Sequence, residues 1–114
     1  MDVKFKNSKV EKLCTIHSHA GKTMNPSEVK KLYNFLATFR IVNHLGDIQK
    51  FPGDLHPYKH GSPIFTLDLS HQKRLYFVAC NEEAVVLDDG VTIDKTSITE
   101  VEIIGIGNHK TPPH

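Results

Sequence analysis

The sequence predicts an α+β domain, with two helical segments first and about four strand segments after them. Three observations lead there. Apolar residues recur at helical spacing through Phe39 and alternate from Ile64 onward. Turn formers, Pro52-Gly53-Asp54 and Gly61-Ser62-Pro63, punctuate the second half. No repeat or low-complexity tract divides the 114 residues, so residues 1–114 read as one domain, long enough for a real core. Helices grouped before strands imply a helical hairpin packed on one face of a small, mostly antiparallel sheet.

Each element has its own signal. Ser8 to His19 carries Val10, Leu13, Cys14 and Ile16 at a spacing that suits a short amphipathic helix, with Gly21 as its stop. The second helix is the clearest: Asn25 caps it, Pro26 fits its first position, and Glu28 can close a capping box. Val29, Leu32, Tyr33, Leu36 and Phe39 follow at helical spacing, and Tyr33, Phe35 and Phe39 read as core. Asn43 to Phe51 is a connector with one helical turn around Leu45 to Gln49. Leu55 to Lys59 is a short strand despite Pro57. Ile64 to Leu69 alternates, with Phe65, Leu67 and Leu69 on one face. A polar turn then leads into Arg74 to Cys80, apolar and aromatic like a central strand. Residues 81–97 are acidic and turn-rich, a loop insertion or small hairpin around Asp89-Gly90. Ile98 to Ile106 is the last strand, and residues 110–114, with Pro112-Pro113, form a flexible tail.

Composition excludes several classes. With 39% hydrophobic and 24% charged residues the chain reads as a soluble globular protein. It has no apolar run of the roughly 20 residues that a bilayer demands. Its first residues carry charges where a secretion signal needs an apolar stretch, so a cytoplasmic protein is expected. Cys14 and Cys80 form no CxxC and read as small buried hydrophobes. The formal net charge is +1, but its distribution is uneven. Lys4, Lys6, Lys9, Lys12, Lys22, Lys30, Lys31 and Arg40 come early, whereas Glu82, Glu83, Asp88, Asp89 and Asp94 come late, so one basic and one acidic face are expected.

No phosphate-binding glycine loop, HExxH or nucleophile elbow occurs. What stands out is a scatter of cationic and imidazole groups in the strand half: His56 and Lys59 in LHPYK, His60 next to them, Arg74 opening the apolar strand, and His109 after the last one. Arg74 has a structural alternative, an ion pair with Asp68 or Glu102. His17, His19, His44, His60 and His71 read as surface residues, and no two have the spacing of a metal-ligand pair, so no metal is expected.

The stretch DIQKFPGDLHPYKHGSPIFTLDLSHQKRLYFVACN resembles the HigB-type toxins of the RelE/ParE superfamily. Pieces similar to that family's "DLRxLPG", "LHPLKG", "YSLDLNGxWRLIF" and "VEIxDYH" stand in order at Asp47 to Gly53, Leu55 to Gly61, Phe65 to Leu69 with Lys73 to Phe77, and Val101 to His109. The resemblance implies two N-terminal helices against a twisted sheet with a concave basic face. It also implies a type II toxin, a ribosome-dependent messenger-RNA endoribonuclease that uses no cofactor or metal. Such an enzyme drives the RNA 2′-hydroxyl onto the adjacent phosphate, which takes a base, an acid and cations around the phosphorane.

Carried over by position, the resemblance makes His56 and His109 the acid/base candidates. Lys59 becomes a candidate for phosphate contact or proton transfer, and Arg74 a candidate for stabilising phosphate charge. Lys59, Lys73, Arg74 and Asn108 become the RNA-binding set. The implied partners are the ribosome and its messenger RNA, and an antitoxin of the HigA-like helix-turn-helix type, with operator DNA bound only through that antitoxin. The chain departs from the pattern where Gly107-Asn108 replaces the acid and tyrosine before His109, and where Lys73 replaces the aromatic before Arg74. Two other readings stand beside this one: a ParE-like toxin that binds DNA gyrase without cleaving RNA, and a decayed toxin kept for its antitoxin-binding surface.

Overall fold

The computed structural model describes residues 1–50, 56–57, 64–80 and 98–108. Their order is β1 (Asp2–Phe5), α1 (Ser8–Thr15), α2 (His17–Ala20), α3 (Pro26–Ile41), a 3₁₀ turn (Leu45–Lys50), β2 (His56–Pro57), β3 (Ile64–Asp68), β4 (Lys73–Ala79) and β5 (Glu100–Asn108). The class is α+β, as the change of hydrophobic period predicts. The turns at 52–54 and 61–63, residues 81–97 and the tail 110–114 lie outside the described residues.

The helical half differs from a simple pair. Asn7 caps α1 by accepting a bond from the Val10 N–H, but the helix stops at Ile16, whose backbone is extended (φ −108°, ψ 111°). A second short helix, α2, follows before Gly21, so three helices stand where two are expected. The start of α3 is as read from sequence: the Asn25 side chain accepts from the Glu28 N–H and the Glu28 carboxylate accepts from the Asn25 N–H. Tyr33 is half-buried at the margin of the core, whereas Phe35 and Phe39 are inside it.

The sheet has the order β1-β5-β4-β3-β2. The pairs β2–β3, β3–β4 and β4–β5 are antiparallel and β1–β5 is parallel, so the sheet is mixed. Strand β1 is absent from the sequence expectation. Its four residues include two charges, and its partner lies at the other end of the chain. Val3 and Phe5 pack against the core while Asp2 and Lys4 are exposed, the alternation of an edge strand.

One apolar layer fills the space between helices and sheet. Val10 and Cys14 of α1 and Val29, Leu32, Phe35, Leu36 and Phe39 of α3 meet Phe65, Leu67, Leu69, Leu75, Phe77, Val101 and Ile103. Fully burying such a side chain contributes about 1.5–3 kcal/mol. Phe77 sits at the centre, edge-on to Phe39 (centroids 5.0 Å apart) and stacked on Phe65 (5.9 Å). The 3₁₀ turn closes one end, with Leu45 and Ile48 buried and the Leu45 N–H donating to the Ile98 carbonyl at 2.9 Å.

A polar contact fixes the start of α3 against the β3–β4 turn. Glu28 is only 5% exposed, and its second oxygen accepts from Ser70 Oγ at 2.5 Å. The same Oγ accepts from the N–H groups of Gln72 and Lys73. One carboxylate therefore serves a helix cap and a hairpin turn together. Cys14 is buried as expected, and burial pushes its thiol up to about 12. Cys80 corrects the expectation. It is half-buried at the end of β4, its N–H donates to the Glu100 carbonyl at 2.9 Å, and burial and then Glu100 and Glu102 raise its thiol.

Replacing Glu28 by Ala should cost about 1–3 kcal/mol of unfolding free energy and Ser70 by Ala about 0.5–1.5 kcal/mol. The double variant should lose less than the sum, because the shared bond is removed twice. Urea unfolding of the four proteins reads this, and strictly additive losses would refute the coupling. Cys14 gives a pH dependence. Above its ordinary value of 9.0 the unfolded chain releases the thiol proton while the folded chain keeps it to about 12. Stability is therefore lost as pH rises through that window. Wild type should fall more steeply than Cys14→Ala when urea midpoints are followed upward from pH 9, and parallel curves would contradict the burial argument.

Candidate functional site

The site begins with the alternation of β4. Leu75 and Phe77 enter the core, so Arg74 and Tyr76 belong to the opposite face of the sheet. Strand β3 sets Asp68 opposite Arg74 and Thr66 opposite Tyr76. Strand β5 sets Gly107 and Gly105 on their other side. That last pairing follows from a bulge. Along β5 the core positions run Val101, Ile103 and then Ile106, so one extra residue, Ile104, interrupts the alternation. Gly105 adopts φ 143° beside it, a conformation open to glycine. The bulge thus sets two glycines, with no side chains, next to Arg74 and Tyr76.

Arg74 and Asp68 form an ion pair, Nε to Oδ1 at 2.8 Å, with side chains 17% and 23% exposed. Of the two structural partners open in the sequence, Asp68 is the one chosen. Glu102 lies in register with Val78, farther along β4. Tyr76 is fully buried, and its hydroxyl donates to the Asn108 carbonyl at 2.5 Å. Thr66 is fully buried beside it.

The sequence-predicted residues fall as follows. Lys73, half-buried, and Asn108, exposed, are register partners at the end of the β4–β5 ladder. His56 occupies the register position beside Thr66 on β2. The backbone thus aligns one row of His56, Thr66, Tyr76 and Gly105, and the next same-face row of Asp68, Arg74 and Gly107. Adjacent strands lie about 4.8 Å apart, so the row from His56 on β2 to Gly105 on β5 spans roughly 14 Å. Lys59 and His109 lie outside the described residues, as does His60. The residues the sequence reading misses here are Tyr76 and Thr66. In RLYFVAC every position looks like strand core. The usable signal is that a tyrosine buried in such a strand carries a hydroxyl that must find a partner.

Elsewhere the chemistry is quieter. His17, His19 and His71 are exposed, but His44 is half-buried with Nε2 3.7 Å from Asp47, which corrects its reading as a surface residue. Lys4 is held by Glu100 at 2.6 Å, and that hydrogen bond and charge raise its pKa. Lys6, Lys9 and Lys12 remain exposed around it. A groove of about 350 Å³ runs between α2 and α3, lined by His17, Met24, Pro26, Val29, Tyr33 and Asn34. It lies among the helices, away from the β4 and β5 residues above. No described helix is long and apolar enough to cross a membrane.

The Arg74–Asp68 pair is partly solvated, so its coupling should be about 0.5–1.5 kcal/mol. A double-mutant cycle of Arg74→Ala and Asp68→Ala in urea measures it, and a coupling near zero would mean that the pair only orients Arg74. In comparisons with known proteins, no family model, no curated protein and no solved structure matches this chain.

Proposed function

We propose that the chain is a HigB-like toxin of the RelE/ParE superfamily that cleaves messenger RNA on the ribosome and is held inactive by a cognate antitoxin. The reading starts from the four sequence blocks that resemble that family. The observation that carries it furthest is the strand register, in which His56, Arg74 and Asn108, far apart in sequence, belong to β2, β4 and β5 of one sheet. In this reading His56 and His109 exchange protons with the 2′-hydroxyl and the departing 5′-oxygen, while Lys59 and Arg74 face the charge that builds on the phosphorane. Asp68 holds Arg74 Nε, which keeps the guanidinium in a fixed orientation on the sheet. Lys73 and Asn108 supply RNA contacts at the end of the ladder.

A second reading draws on the same pair. Arg74 already has a carboxylate partner and the formal net charge is only +1, which also suits a ParE-like protein that inhibits DNA gyrase by contact. One experiment separates the two. The chain is expressed from a tight promoter in a bacterium beside a His56→Ala/His109→Ala variant, and the 5′ ends of cellular messenger RNA are mapped by primer extension. A nuclease gives growth arrest with new in-frame cuts, at least about 100-fold weaker in the variant. Arrest without cuts, equal in both, would overturn the nuclease reading in favour of the gyrase-binding one. A soluble, folded protein that neither arrests growth nor cuts RNA would point to a decayed toxin.

A further inference from the structure

We propose that the groove between α2 and α3 binds a small apolar carboxylate, whose body lies along α3 and whose head meets Lys30, Asn34 and the Tyr33 hydroxyl. The groove shares no residue with the sheet positions proposed for RNA.

Shape comes first. Pro26, Val29, Lys30, Tyr33 and Asn34 recur at intervals of three and four, so they form one stripe of α3. Gly21 and Met24, from the segment after α2, line the groove against that stripe. Met24 and Val29 are buried, so the lining is largely apolar. The volume of about 350 Å³ is at the small end of ligand pockets, which run from roughly 300 to 1,000 Å³. It suits one small molecule.

Charge then selects the head. No acid stands among the described residues that line the groove, whereas Lys30 does, and it is exposed. Glu28, the nearest carboxylate on α3, is committed to the Asn25 N–H and to Ser70. One turn after Lys30, Asn34 offers an exposed amide. An ammonium donates only, and an amide adds two N–H donors, so the head that fits is anionic and accepts hydrogen bonds.

An unsatisfied donor points the same way. The Tyr33 hydroxyl is shielded from water and has no hydrogen-bond partner among the described residues. Native folds rarely leave a buried O–H unpaired, because the lost bond to water is not replaced. The His17 imidazole lies against the same ring, centroids 5.8 Å apart, and is itself exposed. Turning His17 aside opens the hydroxyl to the groove, where a carboxylate oxygen can accept from it. The same oxygens then serve Lys30 and Asn34 on the neighbouring positions of α3.

The test uses three probes with one ring system and different heads: indole-3-acetate, its neutral amide and the cation tryptamine. Each is titrated into 15N-labelled protein while amide shifts are followed. Indole-3-acetate should give saturable shifts at Gly21, Val29, Lys30, Tyr33 and Asn34 with a Kd below about 1 mM, and leave Val101 and Ile103 unmoved. The amide and tryptamine should bind at least about fivefold more weakly. Equal affinities would mean apolar adsorption without recognition of the head, and overturn the proposal. So would the absence of saturable shifts up to roughly 5 mM, or shifts confined to the sheet. Two variants place the head. Lys30→Met keeps the apolar stem, and should remove the preference for the acid over its amide. Tyr33→Phe should weaken both at least about threefold, since each carries an oxygen that accepts from the hydroxyl. A preference kept in the first variant, or binding unchanged in the second, overturns the assignment of that contact. Should either variant fail to fold, the three probes on the wild-type protein still decide whether the groove selects an anion.

Discussion

The contact of Phe77 with Phe39 and Phe65 is the constraint on which the rest of the structure depends. It joins the longest helix to two neighbouring strands at the centre of the apolar layer, with all three rings at most 2% exposed. Once Phe77 is committed to that layer, the period of a strand leaves no choice for its neighbours. Leu75 must follow it inward, and Arg74 and Tyr76 must stand on the other side. The candidate site is in this sense a by-product of core packing. The same residues that close the hydrophobic layer determine which polar groups are presented on the far face.

The bulge in β5 refines that result. Were β5 to run on from Ile103 without the bulge, Gly105 would fall on the core face, and Ile104 and Ile106 would lie on the far face, opposite Tyr76 and Arg74. With it, Ile106 packs against the core and Gly105 and Gly107 stand beside Tyr76 and Arg74. A single added residue thus converts what would be an apolar far face into open backbone that a tyrosine hydroxyl can cross to reach Asn108. Buried polar groups demand partners. Glu28 takes the Asn25 N–H and Ser70, and Tyr76 takes the Asn108 carbonyl. The Glu28–Ser70 and Tyr76–Asn108 bonds also join elements far apart in sequence, so satisfying these groups fixes the architecture.

Charge is managed locally. The cationic N-terminal stretch is partly compensated where Lys4 meets Glu100 across the β1–β5 pair, and Arg74 is compensated by Asp68 within the β3–β4 pair. A formal charge of +1 therefore hides two cross-strand ion pairs and a set of exposed lysines on α1 and around it, rather than a uniform weak potential.

By itself the sequence determined the class, the capping box of α3, the alternation of β3, the strand character of β4 and β5, and the burial of Cys14. These are local: a cap, a period of two or 3.6, or a run of apolar residues lies within a few positions of chain. It also singled out Arg74 and named Asp68 as a possible partner, because two opposite charges flanking a tight turn become cross-strand neighbours. It could not reveal β1, whose four residues gain their stability only from a partner about a hundred positions away. It missed the break at Ile16, where no glycine or proline marks the end of α1. The role of Tyr76 was also illegible, because RLYFVAC is apolar on both faces and only the register, with the bulge that shifts it, decides which side each residue takes. Only the tertiary structure could decide these points, since each depends on which distant strand lies alongside and in which register.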